Sequence, residues 1–216
     1  MKEESILTTI NTYNKIAQKY TEEFFDDWSE KECLDQFLST VKKGGKILDA
    51  GCGPGNFAKY FFSHGFEVQG IDIAEEMIKI ARSKVPEVQF DLMDMRELNF
   101  NDESFNGVCA AYSLIHIPQK DIANTLMGFN RILENDGILF LALQEGQGER
   151  LVDEPFNPAE RVLIKFFSID EIIEELNKCN FRVIYTEIRE PNSEKEFNNR
   201  KLFVVSRKIS DCNNNF

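Results

Sequence analysis

The sequence predicts an α/β protein with a doubly wound, largely parallel sheet. Apolar strand segments alternate with amphipathic helical segments over about 160 residues, a pattern typical of a parallel sheet covered by helices. A glycine-rich turn joins the first of these strands to the helix that follows. Near the end of the chain, residues 181–188 and 202–206 form two apolar segments with no helix between them. They predict a hairpin that adds one antiparallel strand.

The first part of the chain is predicted to be helical. Apolar residues recur there at steps of three and four, which places them on one helix face. They are Ile6, Ile10, Tyr13, Ala17 and Tyr20, and a second helix is indicated by Leu34, Phe37, Leu38 and Val41. We therefore expect an N-terminal helical cap over residues 1–43, a main domain over residues 44–209, and a loose, asparagine-rich tail over residues 210–216.

The main domain is predicted to contain five strands before the terminal hairpin, at residues 46–50, 66–72, 88–92, 105–111 and 138–143. The last of these is the most apolar, so we expect it in the centre of the sheet. Helices are predicted at residues 56–63 and 74–85, and from the spacing of Ile122, Leu126, Phe129 and Leu133 up to a turn at Asp136-Gly137. A further helix should follow Ser168, which forms a capping box with Glu171. Residues 144–167 show no clear element, and a long connection after a central strand is often functional.

Composition narrows the class of protein. The chain has 216 residues, a formal charge of −12 near pH 7 and 42% apolar residues, so it can bury enough surface to fold. The longest apolar run, residues 138–143, is far shorter than the roughly 20 residues of a membrane span. The acidic balance disfavours nucleic acid as a partner, because the mean field of the protein repels phosphate.

Cysteine usage and the N-terminus point to a reduced, cytoplasmic protein. The five cysteines are scattered, odd in number and never spaced as CxxC, and no zinc-ligand spacing is present. We therefore expect neither a disulfide framework nor a metal. The N-terminus lacks the basic start and apolar stretch of a signal peptide, so we expect a cytoplasmic location.

The most specific motif is the glycine loop, residues 51–55, which reads Gly-Cys-Gly-Pro-Gly between a strand and a helix. Glycines there can adopt positive φ and let a ligand approach the backbone beside the unpaired N–H groups of a helix start. A dinucleotide fingerprint would place its third glycine at Asn56. Asp49, two residues before the loop, suits a ligand with a positively charged amino group. The alternative is a tight turn that binds nothing.

Two further acids follow predicted strands. Asp72 ends the second strand, where a carboxylate can accept hydrogen bonds from both ribose hydroxyls; the alternative is an N-cap for the next helix. Asp94 follows the third strand, where it could accept from an adenine amine while Met95 offers the base a polarisable apolar face. The alternative for this pair is a solvated loop acid and a core methionine.

In this order, the glycine loop with Asp49, then Asp72, then Asp94-Met95 resembles the class I S-adenosylmethionine-dependent methyltransferases. The similarity is greatest to the small single-domain members that act mostly on small molecules, and it covers roughly residues 13–208. Three further segments match this family: residues 13–20, residues 105–118, and residues 131–139 before the fifth strand.

The resemblance implies a Rossmann-like seven-stranded sheet of order 3-2-1-4-5-7-6, with strand 7 antiparallel. It implies S-adenosylmethionine as cofactor, S-adenosylhomocysteine as product and no metal. The implied cofactor-binding residues are Tyr20, Asp49, Gly51, Cys52, Gly53, Gly55, Asp72, Ile73, Met77, Asp94, Met95 and Ala111. Within this set, the resemblance places the backbone of the glycine loop alongside the methionine half of the cofactor, with Asp49 and Ala111 near the amino group of that half. Asp72 binds the ribose, and Ile73, Asp94 and Met95 hold the adenine.

Two positions depart from the family pattern. Asn106 stands where members usually carry Asp in the fourth strand, and Asp136 replaces the usual second glycine before the fifth strand. We expect a changed turn at Asn106 without loss of cofactor binding.

The resemblance implies methyl transfer by in-line displacement, in which proximity and alignment supply much of the rate. A general base is needed only if the acceptor atom carries a proton. His116, after the fourth strand, is the candidate catalytic base; the alternative is a histidine that packs the turn before Pro118. Acceptor choice should depend on the N-terminal helices and on residues 144–167. Phe24, Phe25 and Trp28 could line a pocket or pack the cap onto the sheet.

The function predicted from the sequence is methyl transfer from S-adenosylmethionine to a small, uncharged or anionic acceptor, by a monomer or homodimer. Three alternatives stay open: a methyltransferase acting on protein or RNA, a non-catalytic S-adenosylmethionine-binding interaction module, and a nicotinamide oxidoreductase. The last is disfavoured by Asn56 and Asp49.

Overall fold

The computed structural model describes residues 2–191 and 198–209, with side chains from residue 6 onward. The predicted loose tail, residues 210–216, lies outside the described residues. The helices are α1 (Lys2–Phe24), α2 (Lys31–Thr40), α3 (Asn56–Ser63), α4 (Glu75–Lys84), α5 (Gln119–Ile132) and α6 (Ile169–Lys178), with a 3-10 turn at Leu114–His116. The strands are β1 (Lys46–Ala50), β2 (Glu67–Asp72), β3 (Gln89–Leu92), β4 (Phe105–Ala111), β5 (Leu133–Glu145), β6 (Glu149–Glu154), β7 (Asn157–Phe167), β8 (Phe181–Arg189) and β9 (Lys201–Lys208).

The main sheet confirms the predicted topology. Its spatial order is β3-β2-β1-β4-β5-β9-β8, and the first five strands run parallel. β9 pairs antiparallel with both β5 and β8, so β8 and β9 are the predicted sixth and seventh strands. The carboxyl ends of β1, β2 and β4 therefore meet at one edge, where open α/β sheets bind ligands.

Alternate residues along the central strands enter two different cores. Leu48, Val108 and Leu141 pack on one face with α5 and α6, whereas Ile47 and Phe140 pack on the other with α2, α3 and α4. Both faces of the sheet are thus buried, which is why its strands are continuous apolar runs in the sequence.

The prediction of an unstructured connection over residues 144–167 is wrong. β6 and β7 form an antiparallel hairpin in this segment, with Arg150 opposite Ile164, and β7 then joins the end of β5. Glu154 shapes the hairpin turn, because its carboxylate accepts the backbone N–H of Phe156 and of Asn157 at 2.8 and 2.9 Å. Exposed charged residues mask the strand pattern, and tertiary contacts decide the conformation.

The long helix α1 is attached to this hairpin. The Thr12 hydroxyl donates to the carbonyl of Arg161, and the Thr9 hydroxyl accepts the backbone N–H of Leu163. On its other side, the Asn14 side chain accepts the backbone N–H of Glu76 in α4. Helix α1 thereby spans from α4 to β7 beside the ends of the parallel strands, as a covering element should.

The two departures from the family pattern lie near the α5–β5 junction. The side chain of Asn106 accepts the backbone N–H of Lys46 and donates to Glu134, so its amide links β1 with β5. An ionised aspartate at this position could only accept hydrogen bonds, so it could not donate to Glu134. The register shifts next to it, between Phe105 and Gly107. Asp136 has a φ of 62°, a conformation that glycine favours and aspartate tolerates. β5 also begins before this residue, at Leu133, earlier than predicted.

Candidate functional site

The three glycines of the loop that follows β1 all have left-handed backbone conformations, with φ of 78° at Gly51, 52° at Gly53 and 88° at Gly55. A Cβ at Gly51 would lie 2.3 Å from the Cβ of Ser113, so this position has no room for a side chain. A Cβ at Gly53 would meet nothing within 4 Å. Gly53 is therefore required for its conformation and for the open approach to its backbone, whereas Gly51 is also required for packing.

Asp72 fixes the loop from the neighbouring strand. One carboxylate oxygen accepts the backbone N–H of Gly53 at 2.9 Å, and the other accepts the N–H of Ala74 at 2.8 Å. Burial raises the pKa of Asp72 above its ordinary value, against the effect of these hydrogen bonds. The bond to Ala74 closes an Asx turn ahead of α4, whose N-cap is Ala74 without a side-chain cap bond, so Asp72 is not the N-cap of this helix. A carboxylate with about four acceptor sites still has capacity for two hydroxyl groups.

A cavity lies beyond Asp72, which we call the β2 cavity. Apolar side chains from three elements and the β4 carboxyl end line it, among them Ile73, Met77, Met93, Met95 and Ala111. Ile73 is 37% exposed, although it is a large apolar residue, and it faces this space. Methionine and aliphatic side chains of this kind offer the polarisable apolar contacts that suit the face of a purine ring.

Asp94 occupies a different environment from the one predicted. Its carboxylate is held by Arg96, whose guanidinium Nε lies 3.0 and 2.9 Å from the two oxygens. Arg96, rather than Asp94, lines the β2 cavity. The adenine-binding role of Asp94 stays a prediction, and a base bound there would have to share this carboxylate with Arg96.

A second cavity, which we call the aromatic cavity, lies on the other side of the glycine loop and has a volume of about 910 Å³ including its open mouth. Aromatic side chains form much of its wall; they are Tyr13, Tyr20, Phe24, Phe57, Tyr112 and Phe156. Six residues line both cavities: Tyr13, Tyr20, Gly51, Gly53, Ala111 and Tyr112. The two spaces therefore meet at the glycine loop and at the carboxyl end of β4.

The predicted aromatic residues of the cap divide between the two alternatives. Phe24 lines the aromatic cavity, and its ring packs 4.8 Å from that of Tyr20 and 5.5 Å from that of Phe156. Phe25 is buried in the core, and Trp28 packs against Tyr60. Only Phe24 of the three faces the site.

Asp49 is buried beneath the glycine loop and lines neither cavity. Its Oδ2 has no hydrogen-bond partner in the described part of the chain. Burial raises the pKa of Asp49 to about 7, while a backbone hydrogen bond from Ala58 opposes the rise. Its predicted closeness to a cofactor amino group stays a prediction, and its charge is sensitive to any cation placed above the loop.

Cys52 contributes its backbone to the loop and its side chain to the core. The Sγ atom lies close to Gly70 on β2, where an added Cβ would meet it at 3.1 Å. Burial raises the pKa of the Cys52 thiol well above its usual range, so it stays protonated and packs as a small apolar group.

His116 lines the β2 cavity and contacts Tyr13, which lines both cavities. The imidazole Nδ1 lies 2.7 Å from the carbonyl oxygen of Leu163, which can only accept, so Nδ1 carries the proton. Nε2 consequently accepts the hydroxyl of Tyr13, at 2.8 Å. Burial lowers the pKa of His116 to about 4, and burial also raises the pKa of Tyr13 well above 10. Both groups are neutral at physiological pH.

The far end of the aromatic cavity is polar. The Lys201 ammonium lies 2.7 Å from Oε1 of Glu30, and the Tyr112 hydroxyl donates to the same oxygen at 2.9 Å. Burial favours a raised pKa for Glu30, but the charge and hydrogen bond of Lys201 outweigh it, so the pKa falls below its ordinary value. Gln144 completes this polar end, directly opposite Lys201 across the β5–β9 pair.

The sequence did not single out Tyr13, Glu30, Gln144 or Lys201 as site residues. Tyr13 could have been found from its place on the predicted apolar face of α1, seven residues before Tyr20. Glu30 and Lys201 are separated by 171 positions, and only the antiparallel return of β9 brings them together. Arg161 on β7 forms an exposed ion pair with Asp153.

Comparison with known proteins supports the same class. Residues 47–137 match the family described as Methyltransferase domain. The methyltransferase GfsG of Streptomyces halstedii is 33% identical over 142 residues, covering 62% of this chain and 46% of the relative. The demethylmenaquinone methyltransferase of Chlorobaculum parvum is 28% identical over 166 residues, covering 74% of this chain and 62% of the relative. The chain thus spans less than two thirds of either relative's length.

A solved structure has the same fold over nearly the whole chain. The 1,6-didemethyltoxoflavin-N1-methyltransferase of Burkholderia thailandensis, solved with 1,6-didemethyltoxoflavin and S-adenosylhomocysteine, superposes with a TM-score of 0.78 at 21% identity. The match covers 97% of this chain and 91% of that one. The matched domain, the methyltransferase relatives and this structure together support a class I S-adenosylmethionine-dependent methyltransferase, in agreement with the resemblance seen in the sequence motifs.

Two further observations concern the described residues alone. None of their helices has the length and hydropathy needed to cross a bilayer. Across residues 6–191 and 198–209, histidine, cysteine, aspartate and glutamate side chains do not assemble into any group that could hold a metal ion.

Proposed function

We propose that this chain transfers the methyl group of S-adenosylmethionine to a small-molecule acceptor. One observation carries the proposal: two cavities, one lined by Asp72 and apolar side chains and the other by aromatic rings, meet at the glycine loop. A cofactor bound along the loop would have its adenosine in the β2 cavity and its reactive end beside the aromatic cavity. The acceptor would then occupy the second space, in line with the transferred group.

The residues present fit the cofactor. Asp72 would accept the ribose hydroxyls, and Ile73, Met77 and Met95 would cover the adenine from the β2 cavity. The open backbone at Gly53 would lie alongside the methionine half of the cofactor, together with the backbone of Gly51, Cys52 and Gly55. Asp49 and Ala111 would lie near its amino group, and Tyr20 would close the site from α1. When bound, S-adenosylmethionine supplies a methyl group on a positively charged sulfur that leaves readily as a neutral thioether.

The chain's own contribution is alignment and exclusion of water. Helix α1 and the β6–β7 hairpin cover the carboxyl ends of the strands, and Tyr13, Tyr20 and Phe156 from these elements line the cavity. Such positioning can supply about 7–11 kcal/mol of the barrier reduction. Where the acceptor atom carries a proton, we propose that Tyr13 takes it while passing its own proton to Nε2 of His116.

A small acceptor fits the covered site better than a polymer does. The aromatic cavity is walled by α1, the hairpin and the polar end, and its described charged residues are mainly acidic. Phosphates of an RNA acceptor would be repelled there. Two relatives are also named for small molecules, demethylmenaquinone and 1,6-didemethyltoxoflavin.

Calorimetric titration with S-adenosylmethionine, S-adenosylhomocysteine and NAD tests the proposal. We expect micromolar binding of both sulfur compounds and no binding of NAD. Radiolabelled methyl from S-adenosylmethionine should then enter the low-molecular-weight fraction of a cell extract and not its protein or RNA. Cofactor binding without transfer to any fraction would favour the non-catalytic binding module. Failure to bind either sulfur compound would contradict the proposal.

A further inference from the structure

The polar end of the aromatic cavity holds a buried hydrogen-bond acceptor for which no described residue supplies a donor. Gln144 lines the cavity and is only 5% exposed to solvent. Its Oε1 has no hydrogen-bond partner among the described residues. Buried side-chain oxygens are rarely left unpaired in folded proteins, because the lost hydration is not replaced. A bound molecule that donates a hydrogen bond would replace it.

The other groups at this end are already matched to one another. Lys201 and Gln144 are directly opposite in the antiparallel β5–β9 pair, so their side chains lie on the same face of the sheet. Lys201 pairs with Glu30, which also accepts the Tyr112 hydroxyl. The charge of Lys201 is therefore compensated by Glu30. The neighbouring Gln144 is the group at this end whose side-chain oxygen would accept a hydrogen bond from an incoming molecule.

The remaining walls select for a flat apolar body. The rings of Tyr20, Phe24 and Phe156 pack on one another at centroid distances of 4.8, 5.5 and 6.2 Å and line the cavity. Aromatic walls of this kind favour a ring that can stack on them or meet them edge to face. An extended aliphatic chain would use these surfaces less well.

Charge excludes one class of acceptor that the sequence left open. Among the described residues that line the cavity, three carry carboxylates, Asp27, Glu30 and Glu154, and one is a lysine, Lys201. An anionic acceptor would be placed beside an excess of like charge in a partly desolvated site, which is unfavourable. A neutral molecule avoids this repulsion.

We infer that the methyl acceptor is a flat, uncharged aromatic compound whose N–H or O–H group donates a hydrogen bond to Oε1 of Gln144. The inference rests on the proposed function and deepens it, because it names the acceptor class and the residue that recognises it. Gln144 is thus a specificity-determining residue, and the Glu30–Lys201 pair holds the surface around it.

Three matched probes test the inference on the protein saturated with S-adenosylhomocysteine. Indole is flat and neutral and carries an N–H, benzofuran has the same shape without a donor, and indole-2-carboxylate adds a negative charge. Titrations followed by ligand-detected NMR would give the three dissociation constants. In the wild-type protein we expect indole to bind at least about fivefold more tightly than benzofuran, and indole-2-carboxylate to bind most weakly.

Variants identify the residue that discriminates between the probes. Gln144→Leu should reduce the indole preference to within about twofold, because the acceptor is gone. Gln89→Leu, the same change at an exposed position on β3, should leave the preference intact. Thermal unfolding checks that both variants fold. If Gln144→Leu does not fold, the comparison of the three probes on the wild-type protein still tests the inference.

The outcomes separate this inference from the proposed function. Failure of S-adenosylhomocysteine to bind would contradict the proposed function itself. Binding of S-adenosylhomocysteine with equal affinity for indole and benzofuran, tightest binding of the carboxylate, or no binding of any probe at millimolar concentration would each overturn the inference alone. So would an unchanged indole preference in folded Gln144→Leu.

Discussion

The Tyr13 hydroxyl donates a hydrogen bond to Nε2 of His116 over 2.8 Å, and this bond joins the cap helix α1 to the 3-10 turn after β4. The two rings also meet edge to face, with centroids 5.1 Å apart. Because Nδ1 of His116 donates to Leu163 in β7, the imidazole ties together three elements that enclose the site. A histidine held in this way has a structural role, and it can also take a proton from Tyr13, whose side chain lines the aromatic cavity.

Substitutions at His116 should separate these two roles. If the proton of the acceptor leaves through Tyr13, His116→Ala should lower kcat by about 10²–10⁴-fold with little change in S-adenosylhomocysteine affinity. His116→Gln can accept the Tyr13 hydrogen bond but cannot take its proton, so it should be similarly slow. His64→Ala serves as control, since His64 hydrogen-bonds the backbone of Tyr60 away from the cavities. Full activity of His116→Gln on an identified acceptor would exclude the base and leave a positioning residue.

Ionisation of the buried Asp49 carboxyl should make the protein less stable as pH rises. Its folded pKa of about 7 lies above the ordinary value of 3.8, so the folded state binds more protons between these pH values. The contribution is therefore fully present below about pH 4 and is lost as pH rises through about 7. Asp49→Asn should raise the free energy of unfolding at pH 8, by up to about 4 kcal/mol, and should flatten the pH dependence.

Urea unfolding of the ligand-free protein between pH 4 and pH 8 measures this effect. Asp91→Asn is the matched control, because the Asp91 carboxylate accepts hydrogen bonds from Gln69 and Gln89. A lower stability of Asp49→Asn at pH 8, or an unchanged pH profile, would show that the buried carboxyl is compensated in a way the structure does not contain.

Alanine substitutions in the glycine loop should distinguish packing from ligand access. Gly53→Ala meets no neighbour but retains a φ of 52°, so it should lose only about 1–2 kcal/mol of stability while S-adenosylhomocysteine affinity falls at least tenfold. Gly65→Ala has the same open surroundings and a φ of 84° outside the cavities, and should match that stability loss without affecting affinity. Equal affinities of the two variants would contradict close approach of the ligand at Gly53.

The buried pair of Glu30 and Lys201 should behave as one unit. Glu30→Gln or Lys201→Met alone leaves an uncompensated charge and should cost about 3–5 kcal/mol of unfolding free energy. The double variant should recover most of this loss, because no buried charge remains. A double-mutant cycle by urea unfolding gives the coupling energy, and additive losses would mean that the two side chains do not interact strongly in solution.

Local sequence signals predicted the fold and the position of the glycine loop and of Asp72 beside it. The alternation of strands and helices, the glycine loop and the acid at the end of β2 are each contained in a few adjacent residues, and the topology predicted from them is confirmed. The N-cap half of the predicted capping box at Ser168 is confirmed, since the Ser168 side chain accepts the backbone N–H of Glu171, whereas the Glu171 carboxylate pairs with Lys165. The site roles of the individual residues stay predictions.

Features that depend on distant segments could not be found in this way. The β6–β7 hairpin carries charged residues on its exposed positions, and contacts with α1 hold it in place. Gln144 and Lys201 become neighbours through the register of β5 with β9, which only the folded sheet defines.

The central claim is that the cofactor lies across the glycine loop with its ribose on Asp72. Calorimetric titration of S-adenosylhomocysteine into wild type, Asp72→Ala and Asp91→Ala tests it most directly, with folding of each variant checked by circular dichroism. Loss of hydrogen bonds to a charged acceptor should weaken binding to Asp72→Ala by about tenfold to a hundredfold or more, and Asp91→Ala should bind as wild type does. Wild-type affinity in folded Asp72→Ala would contradict the account.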